Sequence, residues 1–168
     1  MQGDFIRTRS IQWDSSWPRL LSRDERYAIL HYLEEDFGIP PAVFIPYIFF
    51  KTSRAYYMVR QHPCLHEICN LKIQNAGLPA IRILGRHLKP TTQFAQLFGP
   101  MATKRVLRLE WDDLRDLAKV GEIRLKKRLA NGFYLLNSHE FFWGFSLVKE
   151  GERLISYLSK QMKSALLS

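Results

Sequence analysis

One helix with both of its ends specified constrains this chain more than any other feature. Ser22-Arg-Asp-Glu25 has the S-x-x-E form of a capping box, in which each end satisfies an orphan amide of the other. Tyr27, Leu30, Leu33 and Phe37 follow at spacings of three and four, which predicts a single apolar stripe. Gly38 stands where a left-handed cap would stop the helix, and Pro40-Pro41 forbids its continuation.

The rest of the chain is cut into short runs. Val43–Phe50 and Ala55–Val59 are aromatic and β-branched, and Lys51-Thr-Ser-Arg54 between them predicts a hairpin. Residues 62–76 read as either a short helix near Leu65–Ile68 or an irregular connection. Ile81–Leu84 reads as a strand ending at Gly85. Pro90 suits the first position of a helix, where its missing N–H costs nothing, and Phe94, Leu97 and Phe98 mark the buried face. Val106–Trp111 alternates as a strand, and Asp112-Asp113 caps a short helix through Ala118. Three apolar runs follow, Ile123–Leu129, Phe133–Leu136 and Phe141–Val148, bounded by Asn131-Gly132, Asn137-Ser138 and Gly151. Arg153–Leu158 reads as a last strand or a C-terminal helix. Strands so short and so spaced predict a small β-barrel with one or two helices. Trp13 and Trp17 are expected to pack, although the first 20 residues show no period.

Charge narrows the class of partner. The 168 residues carry a net charge of +9, with a pI near 9.8, and such a surface attracts polyanions over long range. Residues 1–84 hold 10 Lys/Arg against 8 Asp/Glu, and residues 85–168 hold 15 against 8. A basic half joined to a nearly neutral half predicts that the second half contacts nucleic acid. With 46% hydrophobic and 13% aromatic residues the chain can bury a core without disulfides, and two cysteines, Cys64 and Cys69, are too few for a disulfide framework. The start MQGDFIRTRS has no apolar h-region, and Pro46 breaks the longest apolar run, Ala42–Phe50. A cytoplasmic location with no membrane partner is expected.

The most specific stretch is Lys89-Pro-Thr-Thr-Gln-Phe-Ala-Gln-Leu-Phe-Gly99. It resembles the K-P-[ST]…L-[FY]-G segment of ribosome-biogenesis proteins that join a pre-PUA domain to a PUA domain. It also resembles the C-terminal RNA-binding module of NOP/Sun-type rRNA cytosine-C5 methyltransferases. Phe37-Gly-Ile-Pro40…Val43-Phe44 is similar to the F-G-[IL]-P…F start of such modules. Leu154-Ile-Ser-Tyr-Leu-Ser-Lys160 is similar to their L-x-S-x-x-P-K tail, with Ser159 in place of proline. The resemblance spans residues 30–160, and only its central segment is specific. It implies an α+β fold: an N-terminal pre-PUA-like α/β domain over 1–86, then a PUA-like β-pseudobarrel over 87–168 that holds RNA by shape and backbone. It further implies a non-catalytic RNA-binding protein acting on ribosomal RNA or its precursor, as an accessory in ribosome biogenesis or RNA modification.

Candidate RNA contacts form four groups. Lys89, Thr91 and Thr92 offer a cation and hydroxyls at a helix start, which serves a phosphate or only the seam between the two parts. Arg124, Lys126 and Arg128 would share one face of a strand, either tracking phosphates or guarding an edge. Lys104, Arg105 and Arg108 form a third group, and Arg153, Lys160 and Lys163 a fourth. Phe133, Tyr134 and Phe141 sit in apolar runs and are expected in the core. His62, Cys64, His66 and Cys69 are ligand types that zinc takes, but His-x-Cys-x-His crowds them, so no metal is expected. Pro63-Cys64 matches the nucleophile dipeptide of cytosine-C5 methyltransferases, yet no Gly-rich strand-to-helix loop accompanies it. No cofactor is therefore expected, and no catalytic motif is present. The rival expectation is a protein-interaction module whose neutral half docks a methyltransferase or assembly factor, with incidental charge.

Overall fold

A computed structural model of the protein describes residues 13–168; the stretch Met1–Ser10, read above as lacking an h-region, lies outside them. Helix α1 (Arg23–Phe37) begins as its residues dictate. The Ser22 hydroxyl accepts from the Glu25 amide at 3.2 Å, and the Glu25 carboxylate accepts from the Ser22 amide at 3.1 Å. Arg19 donates to the same carboxylate at 2.8 and 2.6 Å, and this pairing leads the causes that hold Glu25 down to about 2. Ser22→Ala removes one half of the box, and a thermal melt should show a loss of about 1 kcal/mol.

The buried row of α1 is Ile29, Leu33 and Phe37, not the stripe through Tyr27. At 100° per residue Tyr27 falls about 160° around the axis from Ile29. It is 70% exposed and stacks on His31 instead. At the other end Gly38 takes φ +63°, the left-handed cap. A Cβ there would collide with Thr103, whose hydroxyl donates to the Gly38 carbonyl at 3.1 Å. The Phe37 carbonyl also accepts from the amides of Thr103 and Lys104. The end of α1 thus anchors the segment that leads into the second sheet.

The first sheet is an antiparallel meander of β1 (Arg19–Leu20), β2 (Tyr47–Lys51), β3 (Ala55–Arg60), β4 (Leu78–Leu84) and β5 (His87–Pro90), in that spatial order. The β2–β3 hairpin forms as predicted, but Val43 belongs to a 3₁₀ turn, Pro41–Phe44, and pairing starts only at Tyr47. Pro40, Pro41 and Pro46 lack the N–H that a ladder needs. A short helix, α2 (Leu65–Ile68), links β3 to β4. Pro90 ends β5 rather than opening a helix; an edge strand tolerates it. Helix α3 (Thr92–Phe98) starts two residues later with Thr91 as its cap.

A 3₁₀ turn, Gly99–Met101, then leads to β6 (Val106–Arg108), α4 (Trp111–Val120), β7 (Glu122–Arg124), β8 (Gly132–Ser138), β9 (Phe141–Lys149), β10 (Arg153–Ile155) and α5 (Lys160–Leu167). The second sheet runs β6-β8-β9-β10-β7, with β6 parallel to β8 and the other pairs antiparallel. The fold is therefore α+β with two five-stranded sheets, and among the described residues neither sheet closes into a barrel. Three local expectations change. Trp111 opens α4 instead of ending a strand. Asn137 and Ser138 stay in β8, and the turn falls at His139, which takes φ +55°. The strand after Gly121 stops at Arg124, because Leu125 and Leu129 turn in against the second core while their amides donate to the carbonyls of Glu152 and Gly151.

The main core joins the two sheets. Phe44 packs on Phe98 with ring centroids 5.1 Å apart, and Phe37 meets Phe145 of β9 edge-on at 5.2 Å. The expected division between residues 86 and 87 falls in the turn of the β4–β5 hairpin, and this core draws on both sides of it. A second core gathers α4 and α5 against β8, β9 and β10, around Leu114, Leu136 and Val148. A third places Trp17 and Phe50 on the far side of the first sheet, with Trp13 packed on both. Tyr134 is buried and Phe133 partly so, whereas Phe141 is 69% exposed, since it begins β9 at the sheet end.

Candidate nucleic-acid interface

The β4–β5 hairpin turns on Gly85-Arg86, with Gly85 at φ +61°. That two-residue turn sets the register Leu84↔His87, Ile83↔Leu88 and Arg82↔Lys89. Two cations therefore stand directly opposite each other, an arrangement that destabilises a sheet unless something neutralises it. Among the described residues neither Arg82 nor Lys89 has a carboxylate partner. Burial, followed by the charge of Arg82, lowers Lys89 to about 8. Its ammonium donates to the Tyr157 carbonyl at 2.9 Å and lies 5.0 Å from the centre of the Tyr157 ring. Tyr32 of α1 donates to the neighbouring Leu88 carbonyl at 2.8 Å, which fixes the strand under Lys89.

These cations line a groove. Its first basin, about 430 Å³, lies between β5 with the start of α3 and the segment Tyr157–Met162. Arg82 and Gln93 are shared with a second basin of about 510 Å³, which also takes Arg54 and Tyr57. Tyr57 and Asn75 are shared with a third of about 310 Å³ beside Trp17. Among the described residues no carboxylate lines any of the three.

The expected contacts divide by how their charge is used. Lys89 and Thr92 line the first basin. Thr91 lines it too, but its hydroxyl is spent on the fold, donating to the Pro79 carbonyl at 2.7 Å and accepting from the Phe94 amide at 3.1 Å. Lys160 opens α5 beside the basin, between the lining residues Ser159 and Gln161. Arg105 works as a clamp: it pairs with Asp36 at 3.5 Å, donates to the Asn131 carbonyl and lies over Tyr134. Lys104 is exposed next to it.

Arg124 and Arg153 are cross-strand partners like Arg82 and Lys89, yet they are neutralised. Arg124 meets Glu152 at 2.9 Å, and Arg153 meets Glu122 at 2.9 Å and Glu150 at 3.3 Å. The hydrogen bonds that Arg153 donates to Glu122 and then to Glu150 raise its pKa further. The expected one-faced row through Arg124, Lys126 and Arg128 does not form, because only Arg124 is in a strand. Lys126 and Arg128 are exposed in the irregular segment after it and line separate hollows.

Arg54, Arg82, Tyr57 and Tyr157 line the groove without being among the contacts expected above. Arg82 was legible, since counting outward from Gly85-Arg86 pairs it with Lys89. Tyr157 was not, because it reaches Lys89 from 68 residues away. Of the four residues weighed for zinc, Cys64 is exposed and Cys69 buried, and the side chain of His66 lies outside the described residues. Among the described residues no group of three or more His, Cys, Asp or Glu is placed to hold a metal ion. No helix among them is long and apolar enough to cross a membrane.

Lys89 supplies a pH test. Its folded value lies below the 10.5 of an ordinary lysine, so from about 8 to 10.5 the unfolded chain holds the proton that the folded chain has released. The contribution of Lys89 to stability therefore rises with pH across that window. Its value to an anion moves the other way, because the positive charge is lost. Affinity for a polyanion should fall as pH rises above about 8, and Lys89→Arg should flatten the profile, as fluorescence titration would read.

The carboxylate-free groove, with its unneutralised Arg82–Lys89 pair, is what distinguishes this surface chemically; no family model and no curated protein matches the chain.

Proposed function

We propose that the protein binds RNA through the Arg54–Arg82–Lys89 groove, as a non-catalytic cytoplasmic accessory in ribosomal RNA maturation or modification. The Arg82↔Lys89 pair carries this reading. Two like charges facing each other, one of them partly buried, are a standing cost that a bound phosphate would relieve. The ribosomal assignment and the division into a pre-PUA-like first part and a PUA-like second part rest on the segments around Phe37, Lys89 and Leu154. The two five-stranded sheets support two parts, with the first sheet running on through β5 to Pro90.

An electrophoretic shift with ribosomal RNA fragments tests the reading. Six phosphate contacts would give a salt slope of roughly −4 for single strands. Absence of a shift at low salt would sink it.

The second reading is a protein-interaction module for a methyltransferase or assembly factor. Tyr27 and Ile45, at 70% and 72% exposure on the near-neutral half, favour it. Tyr27→Ser with Ile45→Ser would abolish partner binding and spare RNA under that reading. Glutamate at Arg82 and Lys89 gives the reverse pattern under the first.

A further inference from the structure

We infer that the groove is built for a single strand of RNA and discriminates against a duplex. The inference rests on the RNA-binding reading and adds the form of the ligand.

Along the three linked basins, cations and rings are interleaved. Tyr157 lies beside Lys89, Arg82 stands at the junction to the second basin, and Tyr57 stands with Arg54 beyond it. Tyr157 is 38% exposed. It is held by its amide, which donates to the buried Ser146 hydroxyl, and by edge-on packing with Phe133. Tyr57 lines both the second basin and the third. Gln93 is common to the first two basins and gives an amide that can donate and accept.

A duplex turns its phosphates outward and its bases inward, so it would use the cations and leave the rings and the amide idle. A single strand presents phosphates and unstacked bases in alternation. It satisfies both sets, with the bases stacking on the tyrosines. Each basin is also a concavity of a few hundred cubic ångströms, 430, 510 and 310 Å³ in turn, a size that admits a base and not a helix. Among the described residues no carboxylate lines the path, so the phosphates of such a strand would meet no repulsion from them.

The test is fluorescence anisotropy with the full chain and three probes: an unstructured RNA of about 12 nucleotides, within the span such grooves take, the duplex of the same sequence, and polyglutamate of matched charge. The single strand should bind about tenfold or more tightly than either competitor. Tyr57→Ala and Tyr157→Ala should each weaken the single strand about tenfold, the effect of losing one stacked base, and weaken the duplex by much less. Tyr57→Phe and Tyr157→Phe keep a ring and should keep the affinity, which separates stacking from a folding defect. Equal binding of duplex and single strand, or equal loss for both in the alanine variants, overturns the single-strand inference while RNA binding stands. Polyglutamate binding as tightly as RNA points to an acidic protein segment and overturns it too. If neither nucleic acid binds at low salt, the RNA-binding reading falls and this inference with it.

Discussion

Arg82→Glu is expected to make the protein more stable and a poorer RNA binder at the same time. In the β4–β5 hairpin Arg82 faces Lys89 in register, so the substitution converts a repulsive cross-strand pair into an attractive one. Such pairs are worth roughly 0.2–1 kcal/mol, and the melting temperature should rise accordingly. The groove meanwhile loses one cation and gains a carboxylate where none now lies. Carrying both Arg82→Glu and Lys89→Glu, the protein should lose about a hundredfold or more in RNA affinity at low salt. Neutral Arg82→Gln with Lys89→Gln should make the salt slope shallower by about 1.4, two single-strand phosphate contacts. The control is Arg124→Gln with Arg153→Gln. That pair is already neutralised by Glu152, Glu122 and Glu150, so its loss should cost binding little. A purely structural role for Arg82 would move stability and binding in the same direction. Opposite signs from one substitution, read by thermal melt and by titration, are the signature of a charge kept for a ligand.

Phe37→Ala is expected to cost about 3–5 kcal/mol of stability. Phe37 is almost fully buried, meets Tyr32 within α1 and packs edge-on against Phe145 of the second sheet. Its carbonyl holds the amides of Thr103 and Lys104, where the chain passes from the first sheet to the second. Removing the ring leaves a cavity at the join, and the surrounding aromatics are too large to close it. Because the main core spans both sheets, urea unfolding followed by tryptophan fluorescence should stay a single transition. Trp17 reports on the first sheet and Trp143 on the second. Two separated transitions would show that the halves fold independently and that Phe37 does not couple them.

Much of the first half was legible because its rules are local. The capping box at Ser22 and the left-handed Gly38 act within one helical turn, and both stand where the residues place them. The β2–β3 hairpin likewise follows from its aromatic runs and the Lys51–Arg54 turn. Errors arose where one pattern fits two structures. Proline is acceptable at a helix start and in an edge strand, and at Pro90 the edge of the sheet takes it. Alternating Arg124, Lys126 and Arg128 looked like a strand face, but the burial of Leu125 and Leu129 ended the strand first. Phe141 sits in an apolar run, yet its place at the sheet end leaves it exposed.

Residue order alone sets the caps of α1, the β2–β3 hairpin and the basic excess. Which cations among the described residues stand without a carboxylate partner emerges only on folding. Capping, turn geometry and periodicity act between neighbours along the chain. Neutralisation acts through space: Asp36 answers Arg105, and Glu122 answers Arg153, while Arg54, Arg82 and Lys89 converge with Tyr157 along a path that no carboxylate among the described residues lines. Counting charges located a basic half. The groove lined by Arg82 and Lys89 instead draws Arg54 and Arg82 from the half that counts as nearly neutral.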